Sequence, residues 1–396
     1  MKINGFLPPP GPYLTFVSSK NDLPASSGGI ITLASSYTYY FIAEVDLGGD
    51  RIVCGLNTTI LGNSSENCRI KSTGLSGTAL ISSTYSLPMR NITIEASIAL
   101  NLDGDNTVGV SGTTAIDWFG VNFTNCATVG TIRDYTNVIM TDCAFLNSAN
   151  LTLDGAIGSV GLSTCLFDGA SGKIFILAST LTITRRFRVI YSSFITLSGE
   201  TSLDVSASAV IPNDAYILTY CNFAGGGTYL AGTTQSSLET LFINNVGITN
   251  TSNVGHYYMQ NNATATTVSA ANTYFKANGT TTVGIGNSPK WTTATTNRLT
   301  YAGTVATDFV ITVVGSLSTA SVNITVSVAI AESGVIQAES SITLRTTTAA
   351  IPYPFALQDL IQVATGKYYE VWVRNDTSAT NITLSDVNVV IQKITG

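Results

Sequence analysis

The chain has 396 residues, of which only 11% are Asp, Glu, Lys or Arg while 44% are hydrophobic. That balance excludes disorder, because disordered chains are rich in charge and poor in Val, Ile and Phe. Eighteen Lys and Arg against 24 Asp and Glu give a net charge of −6, which argues against nucleic acid as a partner, and the single histidine, His256, excludes chemistry that needs two.

Residues 1–24 read as an extended, Pro-rich N-terminal arm. PPPGP at 8–12 fits neither a helix nor a central strand. Phe6, Leu7, Tyr13 and Phe16 give the arm apolar anchors, so docking onto another protein is expected rather than a free linker. No apolar run of signal-peptide length precedes Pro8, and no window holds 18 consecutive apolar residues, so no membrane insertion is expected.

Residues 25–286 read as a β-helix. Strands between Gly turns open it at 28–41 and 46–62. A repeat follows, anchored on Phe123, Phe145, Phe167, Phe194 and Phe223 and extended to Ile94 and Ile243, with a mean step of about 25 residues, as in solenoids. Two before the anchors stand Ile92, Val121, Cys143, Cys165, Ser192, Cys221 and Leu241. Five before stand Met89, Trp118, Met140, Leu162, Val189, Leu218 and Leu238. Seven before stand Leu87, Ile116, Val138, Val160, Phe187 and Tyr216, with a lapse at Ser236.

Side chains alternate along a strand, so the change of parity between the −5 and −2 columns requires two strands meeting at a corner. A third face is expected at 151–153, 174–176 and 203–205. Coils stack about 4.8 Å apart, so the anchors should form an aromatic ladder beside a ladder of small groups. The six cysteines, Cys54, Cys68, Cys126, Cys143, Cys165 and Cys221, then read mostly as reduced filler of the interior rather than disulfides or zinc ligands. Asn125, Asn147 and Asn245 read equally as an amide ladder or as ordinary turn residues. Roughly ten coils are expected, a rod on the order of 50 Å.

Residues 287–396 change pattern. Alternating runs at 308–317, 321–346, 367–377 and 381–394 predict a compact antiparallel sandwich of jelly-roll type. Trp372 or Tyr368 has the bulk to face a neighbouring subunit, ordinary sandwich packing being the plainer role.

No catalytic, cofactor-binding or metal-ligating residue is assigned. A glycosidase needs two carboxylates about 5–5.5 or 6.5–9.5 Å apart. Asp117, Asp142, Asp168, Asp134, Asp154, Glu200, Asp204 and Asp214 are the candidates, but the repeat marks no pair, and each reads as a solvated turn carboxylate. Residues 101–106 echo a calcium loop without its closing Glu. Arg185, Arg186 and Arg188 are the only basic cluster. Arg186 and Arg188 fall on the outward parity, where they suit a sugar acid or a neighbouring subunit's carboxylate, a solvated strand face being the plainer reading. The run His256-Tyr257-Tyr258 suits stacking on a sugar or the end of the solenoid, and no G-x-S-x-G elbow accompanies it.

The segments GGIITLASSYTYYF, DLGGDRIVCG, NITIEA, DWFGVNFTNC and TNITLSDVNVVIQKI look like bacteriophage virion appendage proteins of the tailspike, tail-fibre and head-fibre type. The resemblance covers most of the chain and agrees with the all-β reading: a single-stranded right-handed parallel β-helix (solenoid) followed by a C-terminal antiparallel β-sandwich or jelly roll. It implies a homotrimer with the sandwich as its clamp, and anchoring to other virion proteins through residues 1–24. It also implies a bacterial surface polysaccharide or receptor as outward partner, and a place in the virion after assembly in the host bacterial cytoplasm. The expectation is a non-enzymatic fibre or spike without cofactors. The alternatives are a polysaccharide-degrading tailspike enzyme, glycosidase or lyase, and a purely structural capsid-decorating or tail protein.

Overall fold

The computed structural model describes residues 13–107, 112–169, 172–213, 215–232, 240–248, 251, 254–284 and 288–394. Phe6, Leu7, the 8–12 run, Asp214, Ser236 and Leu238 lie outside them. The described regular structure is all β apart from two three-residue 3-10 turns, and the chain divides into two units near residue 250.

The first unit is a parallel solenoid. One coil runs Leu87–Arg90, Thr93–Glu95, Ile98–Asp103, and the chain then stacks Ala115–Phe119 on Leu87–Arg90. Three parallel sheets result, of ten, eight and nine strands, and the third faces expected near 151, 174 and 203 are all in the nine-stranded one. The predicted columns coincide with strand register. Leu87, Ile116, Val138, Val160, Phe187 and Tyr216 are successive partners in the ten-stranded sheet, as are Met89, Trp118, Met140, Leu162, Val189 and Leu218. Ile94, Phe123, Phe145, Phe167, Phe194 and Phe223 are successive partners in the eight-stranded one.

The five phenylalanines stack almost parallel, with centroids 5.1, 4.7, 4.6 and 4.8 Å apart. All six cysteines are buried and unpaired. Burial pushes the Cys54 thiol up to about 12.

The corner that reverses parity is a single left-handed residue three before each anchor. Asn91, Gly120, Asp142, Thr164, Tyr191, Tyr220 and Asn244 all have φ between 50° and 63°. This column also corrects the last coil. Ile243 is not an anchor: it pairs with Thr219 in the ten-stranded sheet, and Phe242 pairs with Leu218. Three after Asn244 comes Gly247, where a Cβ would meet the Phe223 carbonyl oxygen at 2.3 Å. Asn245 is therefore the −2 residue, buried. Its Oδ1 accepts from the Cys221 backbone N–H at 2.9 Å, and its Nδ2 donates to the Leu218 carbonyl. Only Asn147 and Asn125 form the amide ladder, at 2.9 Å. An apolar residue at 243 mimicked an anchor because the true one has no side chain.

Both predicted solenoid limits move. Tyr13–Val17 lies inside the segment read as an arm, yet it pairs in parallel with Tyr37–Phe41. Prolines at 8–12 mask its alternation, in which Val17 is fully buried. At the other end, Val254–Met259 pairs antiparallel with Ile382–Lys393 and belongs to the second unit. Alternation along one strand says nothing about the direction of its partner. Between Ile60 and Cys68 the corner carries a five-residue insertion relative to the later coils, which is why the repeat thins there.

The second unit is an antiparallel sandwich. One sheet orders Thr282–Val283, Val254–Met259, Ile382–Lys393, Thr307–Thr319 and Tyr353–Val363. The other orders Trp291–Thr292, Leu299–Tyr301, Tyr368–Asn375, Ile324–Glu332 and Val335–Ile336. The core includes Trp291, whose ring lies 5.1 Å from Tyr301 and 5.2 Å from Phe309. Buried Glu370 accepts from Lys276, Arg298 and the Trp372 indole N–H at 2.8–3.0 Å. The Arg298 guanidinium lies 3.8 Å over the Tyr368 ring. Trp372 and Tyr368 thus have partners within their own sandwich.

Candidate functional site

On the outer face of the ten-stranded sheet, three consecutive strands line a shallow trough of about 450 Å³. They are Asn137–Thr141, Ala156–Ser163 and Thr182–Ile190. Their inward residues, Val138, Val160 and Phe187, then Met140, Leu162 and Val189, fill the solenoid and fix which side chains face out. The outward rows are Asn137, Ser159 and Arg186; Ile139, Gly161 and Arg188; Thr141, Ser163 and Ile190.

Arg186 and Arg188 are outward, as their parity predicts. Arg185 is outward because of a bulge that the sequence does not announce. Ile183 pairs with Ile157 but Arg186 with Ser159, so Thr184 and Arg185 together oppose Gly158. The register shift leaves Thr184, Arg185 and Arg186 all exposed. Bulges in parallel pairs are rare, and they re-aim side chains.

Charge is unevenly satisfied. In the solenoid, Lys20, Arg69, Lys71, Arg90, Arg133 and Lys173 each meet a carboxylate, and Arg51 reaches the Ser82 hydroxyl. Arg185, Arg186 and Arg188 have no hydrogen-bond or ion-pair partner for their guanidinium groups among the described residues. Three exposed cations without a counter-charge attract an anion, and a guanidinium holds a carboxylate or phosphate in a two-bond fork.

The candidate carboxylates are mostly engaged locally. Asp117 pairs with Arg90 at 2.9 Å and Asp204 with Lys173 at 2.6 Å. Asp154 is held by Arg133 and the Thr180 hydroxyl, and Asp142 accepts from the Thr164 hydroxyl. Asp134 and Glu200 accept backbone N–H groups of Ala156 and Leu197, each at 2.7 Å. Asp168 lies between Leu146 and Ile195 in register, with no acidic neighbour in its row. In the calcium-like run, Asp105 accepts the N–H groups of Thr113 and Thr114 at 3.0 and 2.9 Å. The Thr114 hydroxyl and these N–H groups hold its carboxyl well below the usual range.

His256 faces out from the sandwich. Its Nε2 is 2.7 Å from Asn388 Oδ1, and its ring is 6.2 Å from Tyr258, beside a shallow concavity that includes Val314 and Asp386. Sequence reasoning missed Gly161 and the bulge. Gly161 sits mid-strand on the outward column, between Ile139 and Arg188, and that column was the available signal.

No protein-family model and no curated protein matches this chain. Among solved structures, murine APRIL is similar at 10% identity, over 36% of this chain and 99% of that one, with a TM-score of 0.25. The vertex protein P5 of PRD1 is similar at 12% identity, over 37% of this chain and 76% of that one, with a TM-score of 0.25. The enzymatically active domain of bacteriophage CBA120 tailspike protein 4 is similar at 11% identity, over 93% of this chain and 69% of that one, with a TM-score of 0.20.

Proposed function

We propose that this chain is a non-enzymatic virion appendage of the fibre or spike type. In this reading it works as a homotrimer, its N-terminal segment turns toward the particle, and its coils meet the host surface. The observation that carries the reading is the contrast on the solenoid. The described candidate carboxylates, Asp168 apart, are tied into ion pairs and turns, while the arginine row is left open. That is the arrangement of a binding face more than of a hydrolytic one, which needs two free carboxylates across a bond. The stacked ladders supply the stiff frame on which such a face keeps its shape.

Two measurements test it. Antibodies raised against the purified chain should label intact particles in electron micrographs, and absence of label on particles whose proteome contains the chain would overturn the reading. Incubation with host envelope polysaccharide should release no oligosaccharide. Release abolished by a single Asp→Asn change would establish an enzyme instead.

A further inference from the structure

Gly161 is the anomaly of the outward face. Glycine in a strand interior is less stable than alanine and is expected only where something crowds it. Its neighbour Gly158 is crowded, since a Cβ there would meet the Thr136 carbonyl oxygen at 2.2 Å. At Gly161 a Cβ would meet no atom within 4 Å. Its φ lies outside the left-handed range, so nothing inside the protein requires glycine there. Yet this one missing side chain forms the floor of the trough that the three unpaired arginines border. The bulge that turns Arg185 outward is a second local cost on the same strand pair. Two departures from regular strand structure converge on a space and a charge that the chain itself does not use.

We infer that the trough over Gly161 binds an acidic saccharide of more than one unit, with Arg185, Arg186 and Arg188 holding its successive carboxylates. The inference rests on the proposal that the coils meet a host surface, and it names the chemistry that they read there. Asn137, Ser159 and Ser163 supply amide and hydroxyl groups suited to sugar hydroxyls, and Ile139 and Ile190 suit the apolar faces of a ring. No aromatic residue lines the trough, so it lacks the stacking platform on which single-stranded nucleic acids bind. Arg186 and Arg188 are alternate residues of one strand, about 6.6 Å apart along it. A saccharide spans that distance, whereas a small inorganic ion meets only one of the two.

The test uses the full chain and a labelled oligogalacturonate, with a neutral glucose oligomer and inorganic phosphate as comparisons. Oligogalacturonate should bind, the glucose oligomer should not, and phosphate should compete only weakly. Binding should fall sharply at 1 M salt, where the screening length is about 3 Å. Replacing all three arginines by alanine should weaken binding at least about tenfold, since charge-assisted forks carry the affinity. Gly161→Val should fold at least as stably as the parent, because valine favours a strand and its Cβ meets no atom within 4 Å, yet it should lose binding by a similar factor. Equal binding of acidic and neutral oligomers, or unchanged binding by Gly161→Val, overturns the inference. So does a change of oligomeric mass in the arginine variant, which would assign the row to a contact between copies. Each of these outcomes leaves the particle-labelling result untouched, so the two readings fail separately.

Discussion

At the scale of single residues, position in the coil decides what a side chain is worth. Phe145 is stacked between Phe123 and Phe167 at 5.1 and 4.7 Å and is almost wholly buried. Its truncation to alanine leaves a cavity between two rings that the stacked backbone cannot close, so Phe145→Ala should cost about 3–5 kcal/mol by denaturant unfolding. A near-neutral result would show that the ladder adds no stability. Two carboxylates should respond to pH in opposite senses. The Thr73 hydroxyl, with the N–H groups of Thr73 and Gly48, holds Asp46 down to about 2 from its ordinary 3.8. Its contribution is present above pH 3.8 and is lost as pH falls toward 2. Asp359 points inward between Leu357 and Ile361, with Oδ2 buried and without a hydrogen-bond partner, and burial raises its pKa above 3.8. The native state holds that proton more tightly than the unfolded one. Stability therefore falls as pH rises from 3.8 through the raised value. Asp359→Asn should melt higher than the parent at neutral pH and converge with it as pH approaches 3.8. A variant that melts lower at neutral pH would show the carboxylate to be stabilising.

At the scale of strands and coils, most of the architecture is legible in the sequence because the solenoid repeats its errors and its rules alike. The −7, −5, −2 and anchor columns follow from the two-residue period of a strand and the lateral stacking of like on like. What they could not carry is a position whose logic is the absence of a side chain. Gly247 completes the anchor column, and nothing apolar marks it. Gly161 opens the trough, and only the surrounding space shows that the glycine is not forced. The arginine site was half legible for the same reason. Parity places Arg186 and Arg188 outside, but a bulge adds one residue to one strand and is invisible until register is known. Gly158 gives this scale its own prediction. Gly158→Ala drives a Cβ against the Thr136 carbonyl and should destabilise the coil, whereas Gly161→Ala, three residues along the same strand and on the open face, should be neutral or stabilising by up to about 1 kcal/mol. Equal losses at both positions would show that the free space above Gly161 is not real.

At the scale of the whole molecule, the low charge of the chain acquires a physical account. The interior takes the apolar columns, and four of the seven corners, at residues 91, 120, 142 and 244, take Asn, Gly or Asp in left-handed conformations, where such a residue is least strained. Surface is left that is neither charged nor apolar by necessity, and yet large apolar side chains stand exposed in both units. They include Phe16 at 59%, Tyr191 at 60%, Val335 at 66% and Leu360 at 70%. Tyr191 and Tyr220 occupy left-handed corner positions that bulky residues rarely accept, and they stack on each other at 5.3 Å in the open. Scattered single residues of this kind need no explanation. Together with a surface holding so few charges, they favour a chain that covers part of its exterior with copies of itself. The proposed homotrimer makes that concrete. The purified chain should sediment and scatter light as three copies at micromolar concentration. It should stay so in moderate salt, because the contacts proposed here are apolar rather than ionic. A monomer under those conditions would remove the trimer from the proposal.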